Sequence, residues 1–264
     1  MTTITETTWG QLPALRLVAP DGAEAHVTLY GAHLVSWKGA DGRERLFCSA
    51  RSARDGSRAI RGGVPVIFPQ FAARGAGMRH GFARVSRWRA VASGVEDGAA
   101  FAQFALAQAD LDPQLAAAWT HPFALTLRVA VRANELVMTL AVRNTGAAPF
   151  PFAAALHTYH LVDDVAAVRI AGVEDGVLAL DGKLDKVYEQ VGGTLTLESG
   201  AGRRTLAQRG FTDAVVWNPG AADCAALDDM DDNEYRSFVC IEPALLTPHT
   251  LAPGESWQGE YRIS

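Results

Sequence analysis

The chain has 264 residues, enough for one large all-β domain or two smaller ones, and enough to bury a core without disulfide or metal staples. Hydrophobic residues make up 48% and charged residues 20%, an ordinary globular balance that excludes wholesale disorder. A net charge of −5 argues against general nucleic-acid binding, which needs a basic face, but leaves room for one anion in a local basic pocket.

The opening Met-Thr-Thr-Ile-Thr-Glu lacks a basic region followed by an apolar one, so no secretory leader is expected. No stretch approaches the roughly 18 apolar residues of a membrane helix, so no membrane partner is expected and the cytoplasm is the expected compartment. In chain order, period-two or short apolar runs predict strands over 25–30, 32–37, 86–92, 100–107, 123–132, 135–143, 166–171, 194–198, 213–217, 237–242 and 256–263. The clearest is 123–132, where Phe123, Leu125, Leu127, Val129 and Val131 alternate with more polar or smaller residues. The run 135–143 follows Asn134 directly and pairs with it as a hairpin. Helical periodicity is scarce, with short helices expected at 108–118 and 228–236. Turn signals such as Pro20-Asp21-Gly22, Asp41-Gly42, Asn144-Thr145-Gly146 and Pro253-Gly254 recur between the runs. Many short strands parted by polar turns predict a sandwich or barrel. No linker, repeat or low-complexity tract divides 1–264, which therefore reads as one domain, expected to be a monomer.

Charge is segregated along the chain. From Gly56 to Val95 lie seven arginines (Arg58, Arg61, Arg74, Arg79, Arg84, Arg87, Arg89) and His80, with no acid. Residues 223–234 hold Asp223, Asp228, Asp229, Asp231, Asp232 and Glu234. For most of these residues taken singly, solvated surface is the better reading. The arginine stretch is nevertheless also rich in Gly, Pro and aromatics, which suits a packed loop, and guanidinium forks match phosphate oxygens. Gly75-Ala76-Gly77 has neither the spacing nor the strand–loop–helix setting of a phosphate-cradling loop. Cys48, Cys224 and Cys240 are widely spaced with no CxxC pair, so neither a disulfide framework nor a zinc site follows.

Two blocks, Ile60-Arg61-Gly62-Gly63-Val64-Pro65-Val66-Ile67-Phe68-Pro69 and His80-Gly81-Phe82-Ala83-Arg84 with Trp88 behind it, resemble the N-terminal signature of the glucose-6-phosphate 1-epimerases. These are hexose-6-phosphate mutarotases of the aldose 1-epimerase superfamily. The resemblance continues in order through His121-Pro122-Phe123, Ala155-Leu156-His157-Thr158-Tyr159, Asp185-Lys186-Val187-Tyr188, Val215-Val216-Trp217-Asn218-Pro219 and Phe238-Val239-Cys240-Ile241-Glu242. It implies a large antiparallel β-sandwich of the galactose mutarotase type, with a phosphosugar substrate in a cleft on one face. It further implies His157 as catalytic acid, Glu242 as catalytic base, and Arg61, Arg84, His80 and Asp185 as substrate-binding residues. One departure stands beside the phosphate contacts. The family commonly has Gln before His-Gly-Phe-Ala-Arg, where this chain has Arg79, which is therefore added to the expected substrate-binding set, and the loop from Phe71 to Met78 is short.

Anomer exchange takes a proton from O1 and delivers one to the ring oxygen. A carboxylate and an imidazole tuned towards neutral pH can do both, so no metal or other cofactor is expected. By residue pattern alone, His157 after Phe152-Ala153-Ala154-Ala155-Leu156 reads as a core histidine. Asp185 reads as a turn-former, and His160, Asp163 and Asp164 as loop surface. Glu242 ends an apolar strand, where a carboxylate must be paired or face a cleft. Trp217 and Tyr159 suit either sugar stacking or the core. The rival readings are an epimerase for unphosphorylated aldoses, a carbohydrate-binding module without activity, and a glycoside hydrolase using Asp185 and Glu242.

Overall fold

The computed structural model describes residues 3–264. The first four strands, β1 (Thr3–Trp9), β2 (Leu12–Val18), β3 (Glu24–Thr28) and β4 (Leu34–Lys38), form a four-stranded meander. The central part of the chain gives β5 (Val66–Ile67), β6 (Arg89–Glu96), β7 (Ala99–Ala107), β8 (Phe123–Arg132), β9 (Glu135–Asn144), β10 (Phe150–Leu156) and β11 (Tyr159–Leu161). Then follow β12 (Arg169–Ala171), β13 (Val177–Ala179), β14 (Leu184–Tyr188), β15 (Thr194–Ser199) and β16 (Gly202–Arg209). The last strands are β17 (Asp213–Asn218), β18 (Phe238–Leu251) and β19 (Ser256–Ile263). Two short helices, α1 (Pro113–Ala118) and α2 (Gly220–Ala225), complete the regular elements.

A nine-stranded sheet runs β13-β12-β15-β16-β19-β9-β8-β7-β6, and a six-stranded one runs β14-β17-β18-β10-β5 with β11 beside β18. The strand-to-strand pairings within the sheets are antiparallel. Alternation decides which face each strand buries. Leu125 and Leu127 of β8 stand opposite Val142 and Leu140 of β9, all fully buried, on the inner face of the large sheet. Each such side chain contributes about 1.5–3 kcal/mol by leaving water. The smaller sheets cover that face: β2 and β3 lie against β7 and β8, and β18 touches β19.

The six-stranded sheet has two uses. Val239 and Ile241 of β18, Val216 of β17 and Leu156 of β10 point into the main core. The alternate residues, Cys240 and Glu242 of β18, Val215 and Trp217 of β17 and Asp185 of β14, point the other way, under the loops that enclose a cavity.

The expected hairpin forms, with Arg132 opposite Glu135 and Ala133 at φ 48° in the two-residue turn. Four expectations are corrected. The stretch 108–118 splits into a 3₁₀ turn (Gln108–Asp110) and α1, which starts where Asp112 caps the Gln114 N–H beside Pro113. The strand expected over 166–171 begins with a 3₁₀ turn, Val165–Ala167, capped by Asp164. No α-helix spans 228–236; a 3₁₀ turn, Glu234–Ser237, lies at its end and α2 precedes it. There the acidic side chains bind locally instead, Glu234 accepting from the Asp231 N–H and from Ser49. His160 is not loop surface: it sits fully buried in β11, with Nε2 3.2 Å from the Tyr261 hydroxyl.

Candidate active site

Strands of the six-stranded sheet and two loops build the site. Glu242 stands mid-way along the buried part of β18, opposite Val215, and its side chain turns to the cavity face. His157 follows β10, its backbone N–H bonded to the Pro65 carbonyl beside β5. Asp185 lies within β14, opposite Trp217, and is thus a strand residue, not the turn-former its Gly/Asp-rich surroundings suggested.

His157, Glu242, Asp185, Arg61, Arg79, His80 and Arg84 all line one cavity of about 480 Å³. That volume lies in the range of about 300–1,000 Å³ usual for small-molecule sites. His157 Nδ1 lies 3.2 Å from Glu242 Oε1, close enough to pair but not aligned as a hydrogen bond. Glu242 is 1% exposed and its Oε2 has no partner among the described residues. Aromatic rings fix the imidazole. Tyr159 stacks on it at 4.9 Å with 10° between planes, and Trp217 and His80 meet it edge-on at 6.0 and 5.6 Å.

The basic wall comes from two loops. Arg61 follows Ile60 in the first, with its backbone N–H held by Ser52 Oγ. Its guanidinium is clamped: Nε donates to Asp229 Oδ1 at 3.1 Å and Nη1 to the Tyr159 hydroxyl at 3.1 Å. In the second loop the Gln70 side chain binds Ala72, Gly75 and Gly77, so this glycine-containing turn is folded on a glutamine. The loop then delivers His80 at φ 63° and Gly81 at φ 68°. Arg84 donates from Nη2 to the Arg79 carbonyl, while its buried Nε has no partner among the described residues. Arg79 and Arg58 are exposed at the rim. Arg74, Arg87 and Arg89 stand apart from this cavity, Arg89 being paired with Asp110.

Burial dominates the electrostatics. It pushes the Glu242 carboxyl well above the usual carboxylate range, with the Asp185 charge adding to the shift. Burial likewise drives His157 well below its usual value, helped by His80, Arg61 and Arg84. His80 is pushed down to about 3 by burial and then by Arg84, Arg79 and Arg61. With Nδ1 facing the Ala72 N–H, its neutral ring carries the proton on Nε2. His157, Cys240 and Glu242 place donor atoms within 4.8 Å of one another, the one such grouping found among the described residues. Burial holds the Cys240 thiol and the Glu242 carboxyl towards their protonated forms, which are poor ligands.

The residue that pattern reading missed is Asp229. It sits in the acidic run taken as solvated surface, yet its side chain is only 13% exposed, lines the cavity and grips Arg61. The available signal was the pairing of an acid-free basic run with a compact acidic one. Tyr159 joins the same clamp through its hydroxyl.

The family model described as aldose 1-epimerase matches residues 13–191 and 177–264. The chain belongs to that family. A relative from Cenchrus ciliaris named "Putative glucose-6-phosphate 1-epimerase" is 33% identical, over 91% of this chain and 80% of its own length. Proteins of the same name from Escherichia coli and Salmonella typhimurium are 31% and 29% identical, over 89% and 93% of this chain and 84% and 88% of theirs. Among solved structures, a "putative mutarotase" from Salmonella typhimurium superposes with a TM-score of 0.88 at 26% identity, covering 98% of this chain and 92% of that one. A galactose mutarotase-like protein from Clostridium acetobutylicum reaches 0.77 at 17% identity, over 100% and 98% of the two chains, and shares the fold. The aldose 1-epimerase family member described here has the antiparallel mutarotase-like fold that the ordered motifs implied. Among the described residues no helix is long and apolar enough to cross a membrane.

Proposed function

We propose that this epimerase interconverts the α and β anomers of a hexose 6-phosphate, glucose 6-phosphate foremost, with Glu242 as base and His157 as acid. The observation that carries the reading is one cavity holding both a buried His157–Glu242 pair and the guanidinium groups of Arg61 and Arg84. The relatives' printed names support the same substrate.

The chemistry balances on the pair alone. Ionised Glu242 takes the O1 proton as protonated His157 gives one to the ring oxygen, the C1–O5 bond breaks, and the open-chain aldehyde turns about C1–C2. Reclosure on the other face returns the first proton from Glu242 to the carbonyl oxygen, and the O5 proton goes back to His157. Ring opening thus converts a charged pair into a neutral one of the same net charge. The low-dielectric setting of both groups favours the neutral pair, so desolvation assists opening, while the 3.2 Å contact supports the charged form needed at the start. Arg61, Arg84 and the rim arginine Arg79 take the phosphate, Asp185 and His80 meet sugar hydroxyls, and Trp217 faces the ring.

A freshly dissolved single anomer of glucose 6-phosphate, followed by polarimetry or NMR, tests this. Glu242→Gln and His157→Asn should each slow exchange by roughly 10²–10⁴-fold while sugar phosphate still binds. Wild-type turnover in either variant removes that residue from its role. Equal kcat/KM for free and phosphorylated hexose in the wild type removes the phosphate assignment.

A further inference from the structure

We infer that the substrate's phosphate does more than anchor the sugar: seated on Arg61 and Arg84, it switches on the His157 acid. A phosphate-class dianion supplied separately then activates anomer exchange of an unphosphorylated hexose. The inference rests on the hexose 6-phosphate reading above.

Its basis is the contact chain between the arginines and the imidazole. Arg61 cannot swing away, because Asp229 holds Nε and the Tyr159 hydroxyl holds Nη1. The Tyr159 ring in turn lies flat against the His157 ring, 4.9 Å between centroids. Arg84, fixed on the Arg79 carbonyl, keeps a buried Nε with no acceptor among the described residues. Two fixed guanidinium charges therefore stand close to the group that must carry a proton to the ring oxygen.

The charged and titratable groups facing His157 fall on several elements. Glu242 and Cys240 come from β18 and Tyr159 from β11. His80 and Arg84 come from the second loop, and Arg61 from the first. Of these, Arg61, Arg84 and His80 add to burial in opposing the imidazolium. Glu242 responds instead to burial and to Asp185. A dianion bridging Arg61 and Arg84 cancels the charges that oppose the acid. When no anion is bound, both arginine charges act against protonation of His157. Their low-dielectric surroundings make that opposition larger than it would be in water. No co-reactant is consumed: the proton given to O5 is the one His157 recovers on reclosure.

The test uses a freshly dissolved anomer of glucose with and without phosphite dianion, each rate corrected for enzyme-free mutarotation in the same phosphite. The correction matters because such dianions are themselves proton-transfer catalysts. Saturable activation of the wild type is expected, within roughly 5- to 150-fold, the span of ordinary coupling between two sites. Arg61→Ala should lose the response to phosphite. The His157 ring signals should move towards the imidazolium position as phosphite binds, which closure of a loop alone would not produce. Unchanged or inhibited glucose exchange, or ring signals that stay put, overturns the inference. If wild type also shows no preference for glucose 6-phosphate over glucose, it is the underlying substrate reading that has failed.

Discussion

Asp229 shows how far a single side chain can be misjudged from its neighbours in sequence. Five other acids share its run of twelve residues, and Asp223 for one is half exposed and paired only with Lys183. Asp229 differs because the chain brings it under Arg61, where its carboxylate accepts from Nε. A carboxylate in a phosphate site repels the ligand, so its value lies in aiming Arg61. Asp229→Ala should raise KM for hexose 6-phosphate by roughly 10-fold, the scale of one lost charge-assisted hydrogen bond, with kcat nearly unchanged. Asp229→Asn keeps an acceptor for Nε and relieves the repulsion, so it should restore most of that loss. Should Asp229→Ala instead lower KM, charge repulsion outweighs aiming; should it depress kcat for free and phosphorylated hexose alike, the role is merely structural. That His157, Glu242, Asp185, Arg61, His80 and Arg84 share one cavity was legible because each falls inside an ordered motif, and Arg79 because it stands directly before one. Asp229 was not, since nothing local marks an acid whose partner is 168 positions away.

At the scale of elements, what was legible followed from burial on one face only. β7, β8 and β9 alternate cleanly because one side of each packs on the core and the other is wetter. β10 reads as Phe-Pro-Phe-Ala-Ala-Ala-Leu with nearly every residue buried, so it carries no period-two signal and went unmarked as a strand. β18 likewise runs on to Leu251 past the expected end at 242: residues 243–246 are buried without a break and 247–250 are exposed without a break, so neither stretch alternates. The loop after β5 is equally dictated by packing. Gly81 adopts φ 68°, and a Cβ there would fall 2.0 Å from the Phe68 carbonyl oxygen, a backbone atom that cannot give way. Gly81→Ala must therefore strain or shift the segment that presents His80 and Arg84. The expected result is a stability loss of about 1–3 kcal/mol in denaturant unfolding, together with a lower kcat/KM for hexose 6-phosphate. Wild-type values for both would mean that the loop is not held by this approach.

At the scale of the whole molecule, the sandwich encloses imidazoles as well as hydrocarbon, and this ties its stability to pH. His33 is fully buried between the first meander and the Gly62-Gly63 turn, with Nε2 donating to the Gly62 carbonyl at 2.7 Å and Nδ1 without a partner among the described residues. Burial pushes it down to about 4, with the Arg84 charge adding to that, and burial pushes His160 in β11 down to about 3. In the unfolded chain both rings titrate near the ordinary value of about 6.5. Between pH 6.5 and 4 the unfolded state therefore binds more protons than the folded one, and stability falls as the pH is lowered through that window. Each ring should remove about 2 kcal/mol between pH 7 and 5. His80 and His157 act in the same direction, and Glu242, whose carboxyl burial raises, acts in the opposite one. Surface carboxylates such as Asp41 and Asp55, held below their usual range by hydrogen bonds from Arg43 and Ser57, withdraw stability only at lower pH. The measurement is unfolding free energy from urea titrations at half-unit steps from pH 7 to 5, in wild type and in His33→Gln. Glutamine can still donate to Gly62 but cannot take up a proton, so whatever its effect on absolute stability, the slope against pH should flatten by about one proton. An unchanged slope would show that His33 is protonated in the folded state, and that its buried contact with Gly62 does not exclude the charge.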